Sequence, residues 1–222
     1  MPIAGQGMLL TSMDVDSLHE AEFNRWYDRE HIEERVAIDG FVEARRYVAH
    51  DGRPKYLSLY STATFDVLDS PTYRAALANQ TEWSKANIAR FKNMIRGVAR
   101  ITISRGTGRG AALGIIRLRP PADGADKLRA ALEEQIDPYA LDGIISMHLL
   151  ENDPALSRPL TPDAKADPGA GDWFVLIDAT DVDAVPAAAA RIIDNAALKP
   201  LVVTNGVYRL LWDLAKSDLP RG

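Results

Sequence analysis

The chain has 222 residues, of which 46% are hydrophobic and 26% charged, as is typical of a globular protein with a substantial core. The net charge of −5 and the scattered basic residues argue against a nucleic-acid partner. The absence of cysteine excludes thiolate catalysis, disulfides and cysteine-ligated metals. The N-terminal sequence MPIAGQGMLL lacks a basic start and a long apolar run, so we expect no signal peptide, and no segment reaches the roughly 20 apolar residues of a membrane span. We therefore expect a cytoplasmic protein with no membrane partner.

The first half of the chain predicts six elements in the order β-α-β-β-α-β. Apolar residues that alternate predict strands, and apolar residues three and four positions apart predict helices. The segment HDGRP (50–54) carries the turn residues of a hairpin. The predicted elements are a strand at 6–13, a helix at 18–37, strands at 41–49 and 56–62, a helix at 71–91 and a strand at 94–104.

The same order returns after RGTGRGAA (105–112), a glycine-rich and basic segment that we interpret as a linker. The predicted elements are a strand at 113–118, a helix at 121–132, strands at 144–150 and 173–179, a helix at 182–195 and a strand at 202–212. Residues 151–171 contain four prolines and two glycines, which predicts a long loop between the sixth and seventh strands.

Two copies of the split β-α-β unit, the ferredoxin-like motif, account for this order. We predict an α+β protein with two domains, residues 1–106 and 107–222, each a four-stranded antiparallel sheet with two helices on one face. The open face of each sheet has to be buried. Packing the two open faces together would form an α/β barrel within one chain, with a ligand cavity between the sheets.

The segment FNRWYDREHIEERVAIDGFVEARRY (23–47) is similar to a motif of the dimeric α/β-barrel superfamily, in particular its EthD-like branch. The resemblance is carried by Phe23, Trp26-Tyr27, Glu30-His31, Gly40-Phe41 and Arg45-Arg46-Tyr47. It covers residues 8–104 in motif and 112–212 in element order alone. It implies ferredoxin-like halves, one site per chain and often cofactor-free chemistry on small organic molecules. The superfamily includes isomerases, monooxygenases, decarboxylases and haem enzymes, so the resemblance leaves the reaction open.

The first predicted helix carries the central candidate. At about 100° per residue, Tyr27, Glu30 and His31 fall on one side of it, with Trp26 at the edge. An imidazole titrates near neutral pH, so His31 is a candidate general acid or base, and its three neighbours are candidates for substrate binding. The alternative is a solvated helix end, where His31 only interacts favourably with the helix C-terminus.

The second and third predicted strands add polar candidates. Tyr56 and Tyr60 alternate with leucines, and we expect the leucines to meet the helices and the two hydroxyls to face the cavity between the sheets. Arg45 and Arg46 lie on opposite faces of their strand, and either could bind a carboxylate or phenolate through its fork of donors. Tyr47 shares the face of Arg45. The alternative is that the aromatic residues pack across strands and the arginines lie at the surface.

One candidate comes from the second half, where His148 could reach the cavity from its own sheet, although a lone histidine in a strand is more often structural. The four histidines lack HxH or HExxH spacing, and GTGRG (106–110) lacks the spacing of a phosphate-binding loop. We therefore predict no metal and no cofactor, while a haem bound through His31 or His148 stays open.

These residues together predict a cofactor-independent lyase or isomerase acting on a small organic acid, for example an aromatic-derived or lactone-like one. His31 would move the proton, Arg45 or Arg46 would neutralise the substrate's charge, and Tyr56 and Tyr60 would orient it. The alternatives are a cofactor-free monooxygenase of the antibiotic-biosynthesis type and a non-enzymatic protein that binds a small ligand. A homodimer is compatible with the sequence but no feature requires one.

Overall fold

Eight antiparallel strands form a closed barrel in the computed structural model, which describes residues 3–158 and 169–220. The strands are β1 (Gly7–Asp14), β2 (Phe41–Asp51), β3 (Tyr56–Thr62), β4 (Lys92–Gly106), β5 (Ala112–Leu118), β6 (Ile144–Asn152), β7 (Trp173–Ala179) and β8 (Val202–Ala215). Their order around the barrel is β1-β3-β2-β8-β5-β7-β6-β4. The predicted α+β barrel is confirmed.

Helices surround this barrel. They are α1 (Glu20–Trp26), a π-helical turn (Tyr27–His31) and α2 (Ile32–Ala37), which form one continuous rod, followed by α3 (Pro71–Ala78), α4 (Glu82–Ile88), α5 (Ala125–Gln135) and α6 (Val185–Ile193). The helix predicted at 71–91 is two helices, because the Thr81 hydroxyl accepts a hydrogen bond from the Ser84 amide and begins a new one. None of the helices described is long and apolar enough to cross a membrane.

The two halves of the chain join through the edges of their sheets. Within the barrel the first half has the order β4-β1-β3-β2 and the second the order β8-β5-β7-β6. The inner faces of the two sheets pack together as expected and share one core. In addition, β2 pairs with β8 and β4 pairs with β6, which closes the barrel. Pairing the edges satisfies backbone groups that a sandwich would leave open. The division into domains at residues 1–106 and 107–222 stays a proposal.

The inside of the barrel is filled with side chains. Its core consists of Ile3, Met8, Leu10, Tyr47, Leu57, Leu59, Ala99, Leu113, Leu150, Phe174, Leu176 and Tyr208. The expectation for the third strand was therefore wrong: Leu57 and Leu59 face the barrel interior, whereas Tyr56 and Tyr60 pack against the helices of the first half. Any sizeable ligand cavity in this half has to lie on the helical side of its sheet.

The first helical rod ends at a tightly packed corner. Gly40 has φ of +86°, and a Cβ atom there would lie 2.5 Å from Cγ2 of Val67. Lys216, directly after β8, donates to the carbonyls of the residues that close the rod, including Ala37 at 3.2 Å and Ile38 at 2.8 Å. A cation at a helix C-terminus is favourable. The second half of the chain thus holds the end of the helix that carries His31.

The connection from β6 to β7 begins against the first half. The Ser157 hydroxyl accepts a hydrogen bond from the Val98 amide of β4 at 2.9 Å, which fixes this part of the chain. The loop that we predicted at 151–171 begins later than predicted, after Asn152, because β6 extends to that residue. Residues 159–168 of that predicted loop lie outside the described residues.

Candidate active site

A cavity of about 380 Å³ lies between the sheet of the first half and its helices. It is lined by Leu9, Thr11, Met13, Tyr27, His31, Arg35, Tyr60, Tyr73, Leu77, Gln80, Ile88, Phe91, Met94 and Arg96. Ligand pockets usually measure about 300–1,000 Å³, so this one suits a small organic molecule. Of the predicted site residues, three line it: His31, Tyr27 and Tyr60.

The π-helical turn explains how Tyr27 and His31 both reach the cavity. The Ile32 amide donates to the carbonyl of Tyr27, five residues back, so the turn holds one residue more than an α-helical turn. Tyr27 and His31 are both buried within it. Such turns are frequent at functional sites, because they redirect side chains without ending the helix.

His31 is a buried base. Its side chain is 8% exposed and stacks on Trp26, with ring centroids 4.1 Å apart and planes at 29°. Burial lowers the pKa of His31 well below its usual value, and the charges of Arg35 and Arg46 lower it further. The imidazole is therefore neutral at pH 7, and its Nδ1 atom has no hydrogen-bond partner among the described residues. The interpretation of His31 as part of a solvated helix end was wrong.

Hydroxyl groups complete the polar part of the cavity wall. Tyr60 is 1% exposed, and burial raises the pKa of its hydroxyl well above the usual value, with a further contribution from Tyr27. It stays protonated and can donate. Among the described residues the Thr11 hydroxyl has no hydrogen-bond partner, whereas the Tyr60 hydroxyl lies close to those of Tyr27 and Ser58. Buried polar groups are rarely left unpaired, so the Thr11 hydroxyl and Nδ1 of His31 beside one cavity indicate a polar ligand.

Two arginines also line the cavity, and both are buried: Arg35 is 5% exposed and Arg96 is 8% exposed. Arg35 makes no hydrogen bond or ion pair with a described residue. Arg96 donates through Nη1 to the carbonyls of Leu156 and Arg158. No aspartate or glutamate is among the lining residues that the structure describes. The described walls of the cavity therefore carry a positive charge that they do not neutralise themselves.

Glu30 was predicted to bind substrate, but it lies behind the cavity wall and supports it. Its Oε1 atom accepts hydrogen bonds from Trp26 Nε1 at 3.2 Å, the Thr81 hydroxyl at 2.6 Å and the Ser84 hydroxyl at 3.2 Å. These bonds link the first helical rod to α4 and fix the indole on which His31 stacks. Trp26, which was also predicted to bind substrate, is fully buried and acts on the cavity through His31.

We expect Glu30→Ala to lower the free energy of unfolding by about 1–3 kcal/mol, because three donors lose a charged acceptor. Denaturation in urea measures this change. Glu33→Ala is the matched control, since Glu33 is an exposed residue of the same helical rod. Equal midpoints for the two variants would show that the Glu30 carboxylate does not support the site.

Arg46 and Tyr56 lie beside the first helical rod but outside the cavity. The Arg46 guanidinium donates to Asp28 at 2.9 Å and to Asn24 at 2.5 Å, and lies 4.3 Å from the centroid of the Tyr27 ring. Tyr56 accepts a hydrogen bond from Asn24 at 3.3 Å. These contacts anchor the helix to β2 and β3. The structure therefore gives both residues supporting contacts outside the cavity that contains His31.

Arg45, Tyr47 and His148 lie inside the barrel, away from the cavity. Arg45 donates to both oxygens of Asp178 at 3.3 Å and to Oε1 of Glu43 at 3.1 Å. Tyr47 is fully buried in the barrel core. His148 is held between the hydroxyls of Ser104 and Ser146, each 3.0 Å from a ring nitrogen. These residues form a separate polar network, and the expectation that they join His31 in one cavity was wrong.

Sequence reasoning missed several cavity residues, most importantly Arg35 and Arg96. Arg35 lies four residues after His31, a spacing that places the two on one helix face and could have indicated it. Arg96 gave no comparable signal, because its position depends on the pairing of β4 with β1. Three more polar residues were missed: Thr11, Tyr73 and Gln80.

The chain has the ferredoxin-like α+β barrel fold, which it shares with solved structures across almost its whole length. No protein-family model matches the sequence, and no curated protein is significantly similar to it. An anthrone oxidase-like protein superposes with a TM-score of 0.66 at 10% identity, covering 96% of this chain and 94% of that protein. A candidate monooxygenase from Lactobacillus acidophilus gives 0.54 at 9% identity, with 96% and 97% covered. A heme-binding protein from Thermus thermophilus gives 0.54 at 12% identity, with 95% and 92% covered. Identities this low show a shared fold alone.

The residues of this chain do not fit a haem. Both ring nitrogens of His148 are engaged by serines inside a filled barrel. His31 lies flat against Trp26 in a cavity of about 380 Å³, near the lower end of ligand pockets. Across the described ranges, no three His, Asp or Glu side chains come together as they would around a metal ion.

Proposed function

We propose that this protein is an enzyme that removes a proton from a small organic acid without a cofactor, as a lyase or isomerase. The observation that carries the proposal is His31, a buried and neutral imidazole in a cavity wall that also contains Arg35, which has no hydrogen bond or ion pair with a described residue. A general base has to be neutral at the working pH and within reach of the substrate. His31 combines that protonation state with a place in the cavity wall.

The proposed reaction begins when His31 accepts a proton from a carbon next to a carbonyl group of the substrate. The electron pair left on that carbon moves to the carbonyl oxygen and forms an enolate. Arg35 and the protonated Tyr60 hydroxyl are suited to stabilise that oxygen, because they donate hydrogen bonds in a site with little water. The imidazolium then returns the proton at another carbon, which is isomerisation, or the enolate expels a leaving group, which is lyase chemistry.

A cofactor-free monooxygenase is the second candidate. It would share the first step, and the carbanion would then react with dioxygen. Two observations favour it: most of the cavity wall is apolar, including Leu9, Ile88 and Phe91, and two proteins of the same fold are described as anthrone oxidase-like and as a candidate monooxygenase. A protein that only binds a ligand would not need a buried base without a partner, which favours both enzymatic candidates over it.

Proton exchange tests the proposal directly. We would incubate the full chain in D₂O with a panel of aromatic-derived and lactone-like acids that have an acidic C–H bond, and follow deuterium incorporation by NMR. Protein-dependent exchange is expected for at least one acid, and oxygen uptake during the same reaction would identify the monooxygenase. Acids that bind in the cavity but neither exchange nor react would indicate a binding protein. Homodimerisation and a cytoplasmic location remain predictions from the sequence.

A further inference from the structure

We infer that the natural ligand of this cavity is a dianion, with one negative group bound by Arg35 and a second bound by Arg96. The inference rests on the proposed site and adds the charge of its ligand. It starts from the lining residues that the structure describes, which include two arginines and no carboxylate. Because His31 is neutral, these described residues carry two positive charges.

Arg35 provides the first half of the argument. Its side chain is nine-tenths buried, and it has neither a hydrogen bond nor an ion pair with the residues that the structure covers. Burying an unpaired charge is strongly unfavourable, so proteins pair such groups or use them. Arg45, buried in the barrel of the same chain, has two carboxylates around it. Among the described residues Arg35 has no such partner at ion-pair distance, although it interacts at longer range with the exposed Glu34, and it faces a cavity that an anion could enter.

Arg96 provides the second half of the argument. It projects from β4 in the sheet, whereas Arg35 belongs to α2 in the helical layer, so each wall of the cavity carries one cation. The carbonyls of Leu156 and Arg158 occupy only Nη1 of Arg96. Neither Nε nor Nη2 has a hydrogen bond to a described residue. Carbonyl groups fix the guanidinium in place but leave its charge unneutralised.

The apolar part of the wall defines the body of the ligand. Leu9, Met13, Leu77, Ile88 and Phe91 line the space together with the two cations. A guanidinium fork matches the two oxygens of a carboxylate. The ligand class that fits is therefore a compact, apolar or aromatic body with two carboxylates or one carboxylate and one phenolate.

Calorimetric titration of the full chain with benzoate, phthalate, isophthalate and terephthalate tests this inference. The three diacids share the ring of benzoate and vary the separation of the charges. We expect at least one diacid to bind about tenfold or more tightly than benzoate, which is the effect of a further hydrogen bond between charged groups. Arg35→Gln and Arg96→Gln should each reduce the affinity of that diacid to near that of benzoate. Arg29→Gln makes the same charge change at an exposed residue of the first helical rod and should leave it unchanged.

The inference is overturned if no diacid binds more tightly than benzoate, including the case in which no probe binds. It is also overturned if the gain persists in both arginine variants. If Arg96→Gln does not fold, Arg96→Lys keeps the charge, removes the fork and should still weaken diacid binding. Binding is measured without turnover, so the two proposals fail separately. Diacid binding without proton exchange would contradict the proposed function, and exchange on monoacids without diacid preference would contradict the dianion.

Discussion

Replacing His31 with asparagine should lower turnover by about 100- to 10,000-fold, the usual contribution of a positioned general base. The variant keeps a polar side chain in the cavity wall but removes the group that accepts the proton. In the wild-type protein, kcat/KM should be constant around neutral pH and fall only in acid, because burial lowers the pKa of His31 well below its usual value. Steady-state kinetics from about pH 4 to about pH 8, on the substrate found by proton exchange, measure both effects.

The stability of the protein should respond to the same ionisation. The folded state holds His31 with a lowered pKa, so between that pKa and the unfolded value the unfolded chain binds more protons. Stability therefore rises with pH through this window and is lost as the pH falls. His31→Asn should weaken this acid sensitivity, while His148, whose pKa burial also lowers, keeps part of it.

His19→Ala is the control for both experiments, because His19 lies in a short 3₁₀ turn before the first helical rod and has no place in the cavity wall. It should leave turnover and acid sensitivity near those of the wild type. A folded His31→Asn protein that keeps its turnover would assign the proton transfer to another group, and the mechanism proposed for this cavity would be abandoned.

The order of strands and helices along the chain could be predicted from the sequence. Which face of each strand points into the barrel and which faces the helices could not. Alternation correctly separated Tyr56 and Tyr60 from Leu57 and Leu59. It does not distinguish the barrel interior from the helical side when both are buried, and every residue of β3 is buried. The leucines fill the barrel, so the tyrosines meet the helices. The same limit left Arg45 and Arg46 undecided until the pairing of β2 with β8 was known.

The site depends on features that are still less visible in the sequence. The π-helical turn at Tyr27–His31 has no sequence signature that we could use, although it sets the direction of both side chains. His31 was identified because an imidazole beside aromatic residues on one helix face is costly to bury unless it is used or paired. Arg35 was overlooked because an arginine near the end of a charged helix is ordinarily solvated. Its burial depends on α3 and the segment at Gln80, which pack over it from a distant part of the chain.

Arg45→Met should lower the free energy of unfolding by about 3–5 kcal/mol, the usual cost of removing one partner of a buried ion pair. Arg45 is 1% exposed and holds Glu43 and Asp178 inside the barrel. Glu43 would keep Arg109, whose Nη1 lies 2.8 Å from its second oxygen. Asp178 would keep long contacts, with His148 at 3.6 Å and with the Ser146 hydroxyl and the Gly110 amide at 3.5 Å each. Chemical denaturation, with the change in midpoint compared at constant slope, measures the loss.

Arg35→Met is the matched comparison, and unlike Arg45→Met it should not lower the free energy of unfolding. Arg35→Met removes a buried charge that has no partner among the described residues, so stability should stay unchanged or rise while anion binding is lost.

Adding Asp178→Asn to Arg45→Met should recover part of the stability lost in Arg45→Met, because the side chain at position 178 is then neutral. If Arg45→Met and Arg35→Met destabilise equally, the difference between a cation that stabilises the barrel and one that binds a ligand disappears. The charge argument for the cavity would then lose its support.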